Sequence, residues 1–152
     1  MDADFSHPVD KLPELYNACA HDGFDFSIGS RYVKGGGVSN WDKKRLYLSY
    51  FASIYVRMIL WIRIKDTTAG FMCYSRKVLE TIDLDKIKFK GYAFQIQMKY
   101  AAHLLGYKII EVPIWFKDRE VGTSKLSSNI IQEAIFGVIR LKWSSFFHSY
   151  SK

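Results

Sequence analysis

The chain has 152 residues, 49% of them hydrophobic and 24% charged, enough to bury one core without staples and too apolar for a disordered chain. Charges recur throughout, which excludes a bundle of membrane spans. Lys and Arg number 22 against 15 Asp and Glu, a net charge of +7; with 16% aromatic residues and no nucleic-acid-binding signature, the favoured partner is a phosphorylated substrate or a membrane surface and not nucleic acid.

The chain opens on Met1-Asp2-Ala3-Asp4, with no basic-then-apolar leader. A short acidic motif of this kind belongs at the end of a strand, where ligands gather in open α/β sheets. No strand precedes it, so the chain reads as the later part of a longer protein. Asp2 and Asp4, one residue apart at a bend, suit one hard cation, Mg²⁺ or Mn²⁺, with positions left for phosphate oxygens. Helix capping is the competing use of the same residues. His7 reads as a solvated loop histidine.

Residues 11–20 form a helix, with Pro13 in its first turn and Leu12, Leu15 and Tyr16 on one face. Residues 24–28 alternate with period two and read as a strand. Residues 29–40 form a loop around Gly35-Gly36-Gly37. A long helix runs from 42 to about 64. A short strand at 68–74 leads into a helical turn at 75–82, and a helix at 94–105 ends at Gly106. Pro113 makes the strand at 107–116 an edge or bulged strand. Residues 118–125 are a polar loop, and Ser128 or Asn129 caps a last helix reaching about Trp143. Strands alternating with helices define an α/β layer fold.

Two cysteines and no C-x-x-C exclude a disulfide scaffold; Cys19 and Cys73 read as reduced, small hydrophobes of a cytoplasmic protein. There is no G-x-S-x-G or H-E-x-x-H, and the four histidines are scattered. Cations instead collect around two loops. Arg31, Lys34, Lys43, Lys44 and Arg45 flank the glycines, whose N–H groups can approach an anion. Arg119 and Lys125 flank Gly122, where Arg119 can grip phosphate bidentately. A solvated basic surface is the alternative for both. Residues 46–64 approach spanning length but carry Arg57 and Arg63; a central Arg costs roughly 2.5–3.5 kcal/mol on insertion. Three tyrosines and Lys43-Lys44-Arg45 fit a helix lying in the head-group layer. Ile130, Ile131, Ala134, Ile135, Val138 and Leu141 give the last helix an apolar face followed by Trp143, Phe146 and Phe147. Ordinary core packing is the alternative for both helices.

In chain order these segments resemble one family. They are Asp2-Ala3-Asp4-Phe5-Ser6-His7-Pro8, Gly29-Ser30-Arg31-Tyr32, Gly36-Gly37-Val38 with Asn40-Trp41 and Arg45, and Asp66-Thr67-Thr68-Ala69-Gly70-Phe71. Gly91-Tyr92-Ala93-Phe94-Gln95, Glu111-Val112-Pro113-Ile114, and Asp118-Arg119 with Gly122, Ser124 and Lys125 continue the set. Together they resemble the polyprenol-phosphate (dolichol-phosphate) mannosyltransferases among the family-2 glycosyltransferases. The resemblance implies a partial GT-A, Rossmann-like fold lacking its N-terminal nucleotide-binding half. Residues 1–125 would be the later part of the catalytic domain and 126–152 an amphipathic C-terminal helix. The implied activity is metal-dependent, inverting transfer of mannose from GDP-mannose to a polyprenyl phosphate at the cytoplasmic membrane surface, with the fragment inactive alone.

By the same resemblance Asp2 and Asp4 hold the metal, with Asp4 and Arg119 catalytic. Arg31, Arg45, Ser124 and Lys125 bind the substrate phosphates, and the 118–125 loop closes over them. The helix after Trp41 and the C-terminal helix rest on the membrane. Ser6 stands where some members carry Gln, Gln97 where many carry Glu, and Met72 where many carry Arg. The last two changes bear on sugar identity more than on reaction type. No transmembrane hairpin follows, so membrane attachment is expected to be peripheral or through an anchoring partner protein. Transfer of another sugar, such as glucose, and a non-catalytic membrane-surface module are the rival readings. The residue types suit the chemistry. A phosphate monoester, with a second pKa of about 6, needs no general base, and arginines with a metal ion offset anion–anion repulsion.

Overall fold

A computed structural model of the chain describes residues 6–118, 128–147 and 149–152. A 3-10 turn at Val9–Lys11 leads into α1, Leu12–Ala20. Strand β1 is Phe26–Ser30, β2 is Gly37–Ser39, and α2 is Lys43–Leu60. Strand β3, Met72–Tyr74, is followed by α3, Arg76–Thr81, and a 3-10 turn at Leu84–Lys86. Helix α4, Gly91–Leu104, precedes β4, Ile109–Pro113, and β5, Trp115–Lys117; α5 is Ser128–Ser144. The mixed α/β expectation holds.

The strands form two sheets. One has the order β3-β1-β4, with β3 antiparallel and β4 parallel to β1. The other pairs β2 with β5 in parallel. All five residues of central β1 are buried, and the strand starts at Phe26, two residues later than expected. Helices cover both faces, and alternation gives way to continuous burial. Pro113 does lie on an edge strand, opposite Ser30. The single strand expected over 107–116 is two, divided at Ile114. That residue's N–H donates to Ser30 O at 3.0 Å, and its carbonyl accepts from Gly37 N at 2.9 Å. One residue therefore couples the two sheets.

Strand β2 falls inside the expected loop. Gly36 is required just before it, because a Cβ there would stand 2.5 Å from Ser30 O. Asp42 caps α2 by accepting from Arg45 N at 3.0 Å. The helix stops at Leu60, short of the expected end, because Trp61 turns left-handed at φ 57. Gly106, at φ 75, ends α4 as expected.

The main core joins Phe26 and Ile28 of β1 with Val56 and Leu60 of α2, and with Tyr100 and Leu141. A smaller core beneath α1 comprises Leu15, Phe71, Val112 and Ile114. Leu12 and Tyr16, expected to share Leu15's buried face, are exposed. They border an apolar cleft of about 470 Å³ that also meets Phe71, Met72 and Cys73. The two cysteines, 54 positions apart, meet here: the Cys19 thiol donates to Cys73 O at 3.5 Å, and both remain free thiols.

Candidate active site

Parallel pairing sets the carboxyl ends of β2 and β5 side by side, and Ile114 joins the carboxyl end of β1 to the start of both strands. The residues that leave those ends are Arg31, Asn40-Trp41 and Asp118. Arg31 is nearly buried and meets a fully buried Asp66. Its Nε donates to Asp66 Oδ2 at 2.7 Å and its Nη2 to Oδ1 at 2.6 Å. Its backbone N–H adds a bond of 2.9 Å to Oδ2, and Nη2 also reaches Thr68 Oγ1 at 2.9 Å. Burial alone would lower the Arg31 pKa, but the Asp66 hydrogen bonds and charge prevail and raise it. Burial likewise opposes ionisation of Asp66, and Arg31, with help from the Lys99 charge, holds it below the ordinary carboxylate range. The pair is ionised at neutral pH.

The Arg31 guanidinium lies 5.3 Å from the Trp41 ring and 5.8 Å from that of Phe116. Arg45, from the first turn of α2, lies 4.1 Å over the same Trp41 ring. Its Nη1 donates to Asp118 Oδ2 at 2.7 Å. Two of the expected phosphate-binding arginines thus meet on one indole. The buried indole Nε1–H has no acceptor among the described residues. Asp118 N–H donates to Ser39 O at 3.3 Å, so the residue opening the polar loop is pinned to β2.

The segment after the opening aspartates reaches the same place. Lys117 N–H donates to Ser6 O at 3.2 Å. His7, expected in solvent, is buried, with its ring 5.0 Å from Phe71 and 5.2 Å from Phe116. Asp2, Asp4, Arg119, Ser124 and Lys125 lie outside the described residues. Among the described residues no three His, Cys, Asp or Glu side chains cluster as metal ligands.

The sequence reading missed the framework behind Arg31. Glu111, on β4, accepts from Lys65 N at 2.7 Å and from Asp66 N at 2.9 Å. Lys99, on α4 and fully buried, donates to Ala69 O at 2.6 Å and to Thr67 O at 3.1 Å. The only sequence signal was a lysine on an otherwise apolar helix face. Gln97, which stands where many members carry Glu, orients a loop. Its Oε1 accepts from Lys88 N and Phe89 N, each at 3.1 Å, and its Nε2 donates to Lys86 O at 3.0 Å. A carboxylate could accept those bonds but could not donate the third. Met72 sits in the α1 cleft and not beside Arg31.

Helices α2 and α5 leave large apolar side chains exposed. Phe51 and Met58 on α2, Trp61 at its end, and Phe136, Trp143 and Phe147 on or after α5 are all more than half exposed. Lys142 Nζ lies 4.3 Å from the Trp61 ring and ties the two groups together. No helix among the described residues is long and apolar enough to cross a membrane.

The fold is mixed α/β, with Arg31 just beyond the carboxyl end of β1, the region where open α/β sheets bind ligands. The chain belongs to glycosyl transferase family 2, which residues 1–83 match. It is similar to a polyprenol monophosphomannose synthase of Mycolicibacterium smegmatis, 49% identical over 138 residues, which are 91% of this chain and 52% of that protein. An undecaprenyl-phosphate mannosyltransferase of Micrococcus luteus is 44% identical over 140 residues, 92% of this chain and 57% of that protein. The chain therefore spans about half the length of these curated relatives.

Proposed function

We propose that the chain is the acceptor-side part of a glycosyltransferase that moves mannose from GDP-mannose to a polyprenyl phosphate, with inversion, at the cytoplasmic surface of a membrane. The observation that carries this reading is the convergence at Trp41. Arg31 and Arg45 meet on one ring, Arg45 pairs with Asp118, which precedes Arg119 in the sequence, and Ser6 O accepts from the N–H of neighbouring Lys117. The acceptor phosphate and the donor diphosphate repel each other. Fixed guanidinium groups in a partly dry site offset that repulsion without reorganising during the reaction. Arg31 supplies a charge locked by Asp66. Arg45, paired with a less buried carboxylate, is the one able to exchange its partner for phosphate. Arg119 and Lys125 add charge from the loop, and Ser124 adds a donor. Asp2 and Asp4 are the carboxylates for Mg²⁺ or Mn²⁺, which supplies charge neutralisation of the leaving diphosphate.

The exposed rings on α2 and α5 lie on the membrane surface in this reading, with Lys142 at the head groups. In this reading turnover requires a nucleotide-binding half in addition to this chain, and residues 1–125 and 126–152 act as catalytic part and surface helix. The test is labelled-sugar transfer to polyprenyl phosphate by a protein in which this chain is joined to such a half, with GDP-mannose or UDP-glucose, with and without Mn²⁺, alongside vesicle binding by the chain itself. Metal-dependent label in the lipid fraction from GDP-mannose supports the reading, and label from UDP-glucose changes the sugar. Vesicle binding indifferent to Mn²⁺, GDP-mannose and substitutions at Asp2 and Arg119, with no transfer, replaces it with a non-catalytic membrane module.

A further inference from the structure

Lys99 is fully buried and sits beneath the turn that holds Asp66. A lysine in a dry interior carries a heavy desolvation cost, and methionine would fill the same space without it. What methionine cannot do is donate to two carbonyls. Thr67 O and Ala69 O belong to a turn outside helix and strand, and Lys99 Nζ serves both. Glu111 fixes the start of that turn through its N–H groups, and Arg31 grips its Asp66 carboxylate. The turn is thus held from three directions, and its product is the placement of one guanidinium against Trp41 and Phe116.

We infer that Lys99 is a positioning residue of this site, holding the Asp66–Ala69 turn so that Asp66 presents Arg31 to Trp41 in the orientation that meets a substrate phosphate. The last clause rests on the transferase reading; the hold on Arg31 does not. The charged groups facing Lys99 are Asp66 and Glu111, which favour its ammonium form, and Arg31, which opposes it. Burial outweighs them and brings its pKa down to about 7. His103, one turn along α4 and near Lys142, titrates separately and is itself shifted down by burial.

The experiment follows the Arg31 Nε–H proton by NMR in the full chain and, in parallel, measures the affinity of that chain for a soluble short-chain polyprenyl phosphate. In Lys99→Met, exchange of the Arg31 Nε–H with solvent is expected to rise about tenfold, the loss of a hydrogen bond's worth of restraint. The Kd for the polyprenyl phosphate rises by a similar factor. In Lys99→Ala, added propylammonium restores slow exchange and 1-propanol does not, a distinction that packing alone would not make. Unchanged Arg31 exchange and shift in Lys99→Met overturns the inference. If neither variant folds, the unaltered chain decides, with His103→Asn as control. The Arg31 Nε–H shift should titrate with a midpoint near 7, and a flat profile overturns the inference. An Arg31 proton that responds to Lys99 in a chain with no affinity for polyprenyl phosphate would remove the transferase reading and leave the positioning role intact.

Discussion

Replacing Asp66 by Asn tests the framework of the site at its most buried point. The substitution keeps the shape but removes the charge opposite an Arg31 whose side chain is only 9% exposed. One carboxylate oxygen that accepts from Nη2 at 2.6 Å, or the one that accepts from N and Nε at 2.9 and 2.7 Å, becomes an amide that donates toward a cation. Breaking a buried pair from one side costs roughly 3–5 kcal/mol, because the remaining charge is stranded. For a chain of this size that lowers Tm by on the order of 10 °C. Urea unfolding of the unaltered chain, Asp66→Asn, Arg31→Met and the double variant gives the coupling, expected at about 1–3 kcal/mol. The pH dependence has a definite sign. The folded pKa of Asp66 is depressed, so its contribution is full above the unfolded value of about 3.9 and is lost as pH falls through the folded value. The gap between Asp66→Asn and the unaltered chain should be constant near neutrality and shrink below about pH 4. A loss under about 1 kcal/mol, as for an exposed pair, or simple additivity in the cycle, refutes the reasoning.

Lys99 should act on stability in the opposite pH range. Its folded pKa is about 7 against the ordinary 10.5, so between those values the unfolded chain holds the extra proton and stability rises with pH, by up to about 1.4 kcal/mol per pH unit. Lys99→Met should flatten that rise in unfolding curves taken across the window, and an unchanged slope would contradict the assignment. Gln97→Glu should cost about 1–3 kcal/mol in denaturant unfolding, because Lys86 O loses its donor while the shape is kept; a neutral outcome would show that a water replaces it. Gly36→Ala must displace Ser30 O from the position of the added carbon, at roughly 1–3 kcal/mol, with loss of amide protection in Gly37–Ser39 by hydrogen exchange. Full protection there would mean the neighbouring sheet moves freely.

Periodicity made the helices and β1 legible in the sequence, along with the edge character of the Pro113 strand. Strand β2 was hidden because three residues beside a glycine run have no pattern of their own; its partners Trp115–Lys117 lie in a distant segment. The burial of β1 was not legible for a related reason: alternation of Phe and Ile with Asp and Ser marks a strand but does not report that Ser27 finds an internal acceptor, Leu15 O at 2.7 Å. Arg31 and Arg45 were picked out as candidates, but their carboxylate partners lie 35 and 73 positions away. No local spacing announces pairs of that separation. His7 was taken for a solvated residue because its two aromatic neighbours also come from remote segments. Lys99 was the least visible, since a lone lysine on a helix ordinarily reaches solvent, and only the carbonyls of a turn 30 and 32 positions earlier explain its burial.

The most direct measurement of the central claim is the salt-controlled affinity of a soluble short-chain polyprenyl phosphate, read by calorimetry, for the unaltered chain and for Arg45→Gln. Arg45 stands over Trp41 and, among the described residues, pairs with the partly buried Asp118 carboxylate, so its removal costs folding about 1–3 kcal/mol. The account predicts a phosphate-dependent association that weakens about tenfold or more in Arg45→Gln, the worth of one charge-assisted hydrogen bond. Equal binding of the corresponding uncharged polyprenol, or affinity unmoved by the substitution, would contradict it.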